Sequence, residues 1–127
     1  MNVLNLDGRE TARYMSLTRF GIGFACLVTP RRVARVWLGD AEWEGTPVTV
    51  RAIGARDIAI AVGTLTSLDY GGDVGAWLRA GATADAADTA AIVLAFRSLR
   101  GVRRWLLPVV SGVAAYVGLE LAGELED

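Results

Sequence analysis

Apolar residues fall in four long runs along this chain, separated by short polar connections. The first run follows a polar lead at 1–8 and covers about 9–28. Asp7 and Thr11 are both residue types that cap a helix start, and Pro30 stops the run, because proline disfavours helical geometry in the residue before it. The second run covers 47–68, with Thr46 and Pro47 reading as an N-cap followed by proline at the first helical position. The third covers 74–96. Before it, the segment 69–73 has glycines to end one helix and Asp73 to cap the next. The fourth covers 102–121, with Pro108 in its first turns. About 20 residues at ~1.5 Å rise span the ~30 Å of a bilayer core. The pattern predicts an all-α chain, a four-helix transmembrane bundle, in one domain over 1–127.

The connections bear on where such a bundle resides. Residues 30–38 place Arg31, Arg32 and Arg35 beside Val33, Val36 and Trp37. Two readings stand: an amphipathic piece in the headgroup region with Trp37 at the interface, or a loop with a solvated basic face. Residues 39–45 form an acidic turn. The connection 29–50 holds three arginines before Arg51, 97–104 holds four, and 69–73 holds none. Arginines sorted to alternate connections predict a multi-pass protein of the cell membrane with both termini outside. The apolar stretch 17–28 lacks a clean cleavage site, so no cleaved signal is expected. The second and third runs are rich in alanine and glycine and carry charges, so each inserts poorly alone. A soluble helical bundle is the alternative. Against it, the second and fourth runs lack the wide polar face of a soluble surface helix.

Composition narrows the chemistry. Apolar residues are 53% of the chain and mean hydropathy is +0.37. All 13 basic residues are arginine, histidine is absent, and Cys26 is the single cysteine. This excludes an internal disulfide, a histidine-based triad and the usual histidine ligands of zinc and haem. No cofactor or metal is expected. A net charge of −1 leaves no electrostatic footprint for nucleic acid.

The charges inside the runs form the candidate site. Counted from the predicted inner ends of their helices, Arg19, Arg56, Asp57, Asp85 and Asp88 fall at similar depth. Gly81, Asp85, Asp88 and Ile92 share one helix face, as do Gly54, Asp57, Ala61 and Thr64. An unpaired charge at mid-membrane costs ~3 kcal/mol or more, so a buried polar network of these five residues is expected. Two arginines face three aspartates, and the balance is met if one aspartate carries a proton. A structural knot and a proton-linked path share that composition. Trp77 and Arg79 are expected at the outer interface and Arg51 at the inner one, with Glu120 solvated. Small residues at Gly21, Gly23 and Ala25, and at Ala114, Gly118 and Ala122, suit close helix packing.

Arg51, Gly54, Arg56 and Asp57, then Trp77, Arg79 and Gly81, then Asp85 and Asp88, form a pattern that resembles an uncharacterised family of small bacterial four-helix integral membrane proteins. The likeness covers about 30–120. It implies the fold and brings no activity, substrate or cofactor. Four function classes follow. The first is a non-enzymatic accessory or self-associating membrane subunit, with the lipid bilayer and a homo-oligomer or larger membrane complex as partners. The second is an oligomeric proton-linked carrier of a small solute using Asp57, Asp85 and Asp88. The third is a membrane enzyme on a lipidic substrate with an aspartate as general acid. The fourth is the soluble bundle.

Overall fold

The computed structural model describes residues 7–39 and 45–126. Among them are five α-helices and no strand: α1 (Gly8–Val28), α2 (Pro30–Leu38), α3 (Thr46–Tyr70), α4 (Val74–Leu94) and α5 (Arg103–Glu124), with a 3₁₀ turn at Phe96–Ser98. The four apolar runs are α1, α3, α4 and α5. The acidic turn at 39–45 falls mostly at 40–44, outside the described residues.

Local chemistry sets the boundaries. The Asp7 carboxylate accepts from the Arg9 N–H at the start of α1, and the Asp73 carboxylate accepts from the Ala76 N–H (2.7 Å) at the start of α4. Gly71, at φ 77°, ends α3 in a conformation that costs glycine little. The cap of α3 differs from expectation. Gly45 stands at the cap position and Thr46 is already helical.

Residues 30–38 resolve into a helix. Pro30 both stops α1 and begins α2, where its missing N–H removes no intrahelical bond. The apolar side of α2 faces the protein. Val33, Ala34 and Trp37 pack with Cys26 and Val50, while Arg31, Arg32, Arg35 and Val36 are exposed. Trp37 therefore packs against the bundle while staying partly exposed.

The four long helices run up and down. Arg9 donates to the Leu68 carbonyl (2.7 Å) and Arg13 pairs with Asp69, joining the start of α1 to the end of α3. The Arg13 hydrogen bond holds the Asp69 carboxyl below its ordinary value. Arg51 Nε donates to the Leu27 carbonyl (3.1 Å) at the other end. Arg79 pairs with Glu126, tying the start of α4 to the chain just past α5. Arg103 Nε donates to the Val36 carbonyl (2.9 Å), tying α5 to α2.

The bundle is two close pairs, α1 with α3 and α4 with α5, that meet each other less closely. Glycines permit the close approaches. A Cβ on Gly54 would lie 2.6 Å from Cys26 Cβ and 2.6 Å from the Gly23 carbonyl. A Cβ on Gly118 would lie 3.3 Å from Ala82 Cβ. Gly118 and Ala122 of the small-residue stripe are buried, and Ala114 is partly so. Two apolar clusters lie along the bundle axis. One joins all four long helices through Ala12, Leu68, Val74, Leu78 and Leu121. The other, Cys26, Ala34 and Val50, belongs to α1, α2 and α3 only. The charged residues of the helix interiors lie between the two clusters.

Candidate functional site

On α3 the residues Gly54, Asp57, Ala61, Thr64 and Leu68 recur at three or four positions, and all are buried. That spacing is one helix face, so Asp57 is carried inward with the small residues that let α1 approach. On α4 the same periodicity buries Leu78, Gly81, Ala82 and Asp85, with Asp88 one turn on and half-buried. On α1, Arg19 lies between the buried Ser16 and Gly23.

The structure brings all five residues together. Arg19 reaches across to α4 and grips Asp85 with both terminal nitrogens, Nη1 to Oδ1 at 3.1 Å and Nη2 to Oδ2. Its Nη1 also donates to Asp57 Oδ1 (3.3 Å). Arg56 grips Asp88 in the same fork, Nη1 to Oδ1 at 3.0 Å and Nη2 to Oδ2 at 2.8 Å. Arg56 also donates Nε (3.2 Å) and Nη2 (3.1 Å) to Asp57 Oδ1. Each fork matches the planar guanidinium to the carboxylate, the strong form of this contact. Asp57 Oδ1 is thus shared by both arginines. Arg56 takes Asp88 alone of the α4 aspartates, and Asp85 goes to Arg19.

The network has a dry side and a wetter side. The side chains of Arg19, Asp57 and Asp85 are 14%, 11% and 11% exposed, against 32% for Arg56 and 34% for Asp88. Both arginines come from the α1–α3 pair, and Asp85 and Asp88 come from α4. The forks therefore cross the seam between the two helix pairs. Beside Arg19 lies a cavity of about 10 Å³ lined by Ser16, Thr64, Trp77 and Gly81, among others. The arginine forks engage the carboxylates, and among the described residues no three acidic, histidine or cysteine side chains are grouped to hold a metal ion. Chemically, the arrangement can bind helices to one another through paired charges, with three carboxylates held by two guanidiniums.

The other expected site residues lie elsewhere. Arg31, Arg32 and Arg35 are exposed on α2. Arg79 is exposed beside Glu126. Trp77, expected at an interface, lies over Gly63, where an added Cβ would collide with the indole. Its ring packs on α3 there and stays 39% exposed, so the contact leaves the interfacial position open to it. Two polar contacts went unanticipated. The Thr89 and Ser111 hydroxyls meet at 2.7 Å between α4 and α5, one donating to the other while the acceptor donates to a carbonyl of its own helix. Their only signal was a hydroxyl in an apolar run. Arg9 and Arg13 are one turn apart on α1, a spacing that aims both at the end of α3. No protein-family model, curated protein or solved structure matches the chain, and the site is read from its own geometry.

Proposed function

We propose that the chain is a small integral membrane protein of four spans, a non-enzymatic accessory or self-associating subunit. The resemblance to small bacterial four-helix membrane proteins implies the same fold and adds nothing on activity. The observation that carries the reading is the direction of the large apolar side chains. Tyr14, Leu17, Phe20 and Phe24 on α1 and Trp105, Leu106, Val109, Val113 and Tyr116 on α5 are exposed. Asp57 and Asp85 are buried with the Arg19 guanidinium upon them. A water-soluble bundle has the opposite arrangement, and apolar faces of this extent mark contact with lipid or protein. The helix α5 is long and apolar enough to cross a membrane. Among the described residues it is the one helix that is; α1, α3 and α4 match it in length and, with their charges, fall short of its apolarity. In hydrocarbon such charges persist when paired and turned inward.

Charge along the axis supports an orientation. Arg31, Arg32, Arg35, Arg51, Arg97, Arg100, Arg103 and Arg104 all lie at the end formed by α2 and the start of α5. That end is cytoplasmic in this reading, and both termini lie outside. The test is fractionation of the full chain expressed in a bacterium, with an alkaline carbonate wash. The chain should stay in the washed membranes and come away with detergent. Recovery as monodisperse soluble protein overturns the reading and leaves a soluble bundle.

One observation favours a second reading, a proton-linked carrier working as an oligomer. Three carboxylates meet two guanidiniums, and the Arg56–Asp88 fork is partly exposed. Such a carrier requires Asp88→Asn to fold normally and abolish solute flux driven by a pH gradient in proteoliposomes. Unchanged flux removes this reading.

A further inference from the structure

A second polar feature lies outside the network, where α2 and α3 begin. A cleft of about 530 Å³ opens there, lined by Thr29, Pro30, Arg31, Arg32, Pro47 and Arg51 among others. Three guanidiniums border one space. Among the described residues no carboxylate lines it, and neither Arg31 nor Arg32 makes an ion pair or side-chain hydrogen bond. Arg51 commits only Nε, to the Leu27 carbonyl, which fixes its base and leaves its two terminal nitrogens as donors.

The backbone adds to this. The start of α2 has no side-chain cap. The Thr29 hydroxyl donates back to the Ala25 carbonyl, so it turns away from the first turn of α2. The first N–H groups of a helix have no intrahelical acceptor and carry the positive end of its dipole. In α2 the first two such groups belong to Arg31 and Arg32, the same residues that lend their side chains. The opposite wall carries Pro47 of α3, which has no N–H to offer, so the backbone donors at the cleft come from α2. The uncapped start of α2, two guanidiniums without a partner and one anchored guanidinium thus border one open cleft. Tetrahedral oxyanions are bound by this combination of forks and backbone donors.

We propose that this cleft is a phosphoryl-oxyanion site, filled by the phosphate of an anionic lipid headgroup or by free phosphate. In the membrane reading it sits at headgroup depth on the cytoplasmic side, and the lipid source rests on that reading. The free-phosphate arm does not depend on it.

The full chain is purified in a neutral detergent, and its thermal midpoint is followed in two titrations. The first uses inorganic phosphate against chloride at equal ionic strength. The second uses micelles doped with phosphatidylglycerol against phosphatidylcholine. The midpoint should rise with phosphate, with phosphatidylglycerol, or with both. A rise in the lipid arm alone identifies the headgroup as the source, and a rise in the phosphate arm identifies the free ion. Arg31→Gln with Arg32→Gln should weaken the effect by about tenfold, the value of a charge-assisted contact. Arg97→Gln with Arg100→Gln removes two exposed arginines from the same end without touching the cleft, and should leave the effect intact. Both pairs are surface changes, so folding is preserved and the comparison stays readable. Equal weakening by both pairs means a diffuse basic surface and overturns the site. So does the absence of a shift in both arms. If fractionation places the protein in the soluble phase while phosphate still binds, the membrane reading fails and the site stands.

Discussion

One carboxylate oxygen, Asp57 Oδ1, accepts from both Arg19 and Arg56. The other two aspartates each have an arginine fork to themselves. This asymmetry assigns different roles to residues that look alike in sequence. Removing Arg19 leaves Asp85 and Asp57 with little exposure and one fewer cation, and an uncompensated buried charge costs about 3–5 kcal/mol. Asp57→Asn has the reverse effect. It keeps an oxygen acceptor and turns three carboxylates against two guanidiniums into two against two. Arg19→Leu should therefore lower the thermal midpoint in detergent strongly, while Asp57→Asn should stay within about 1 kcal/mol of the parent. A loss from Asp57→Asn as large as that from Arg19→Leu would mean that both arginines need the full charge of Asp57.

At the scale of elements, the closeness of α1 to α3 depends on two facing glycines. The Cβ of an alanine at 54 would lie 2.6 Å from backbone and Cβ atoms of α1. Helix α1 must then move away, taking Arg19 with it. Gly21 is the control, because nothing lies within 4 Å of a Cβ there. Gly54→Ala should destabilise by about 1–3 kcal/mol, as overpacking does. Gly21→Ala should be neutral or stabilising by up to about 1 kcal/mol, since alanine is the better helix former. The pair is compared by thermal unfolding, and equal behaviour would show that the α1–α3 approach is looser than described. Amphipathic α2 follows the same logic of surfaces: its apolar side is used up against Cys26 and Val50, which leaves its arginines for the exterior.

For the molecule as a whole, the two helix pairs are joined unevenly. An apolar cluster of all four long helices holds them at the end where the chain turns from α3 to α4. The cluster at the opposite end includes neither α4 nor α5. Between the clusters the Arg19–Asp85 and Arg56–Asp88 forks cross the seam. Loss of one fork partner should loosen the pairs from the arginine-rich end inward. Arg56→Leu leaves Asp88 without its fork partner and should destabilise, less than Arg19→Leu because its site is wetter. Arg56→Leu combined with Asp88→Leu should recover part of that loss, since no orphaned charge remains. Hydrogen exchange at 86–94 should rise in the single variant and fall back in the double. Strictly additive losses would uncouple the two residues and with them the link between the pairs.

The sequence by itself determined the helices, their approximate ends and which faces turn inward. Those properties are local: the period of apolar positions, the capping side chains at Asp7 and Asp73, the proline at 30 and the glycine at 71. It also placed the five charged residues at one depth, because helical rise converts residue number into distance. Which arginine takes which aspartate was decided only by the tertiary structure. Helix rotation and the Gly23–Gly54 approach set how far each guanidinium reaches, and neither is written in spacing. The same holds for the contact of Trp77 with Gly63, which no linear pattern shows and which leaves the indole 39% exposed. The cleft at Arg31, Arg32 and Arg51 likewise exists only once α2 folds back against the start of α3. Its three arginines span 21 positions of the chain, and only the turn at Thr29 and the packing of Val33 and Trp37 bring them to one space.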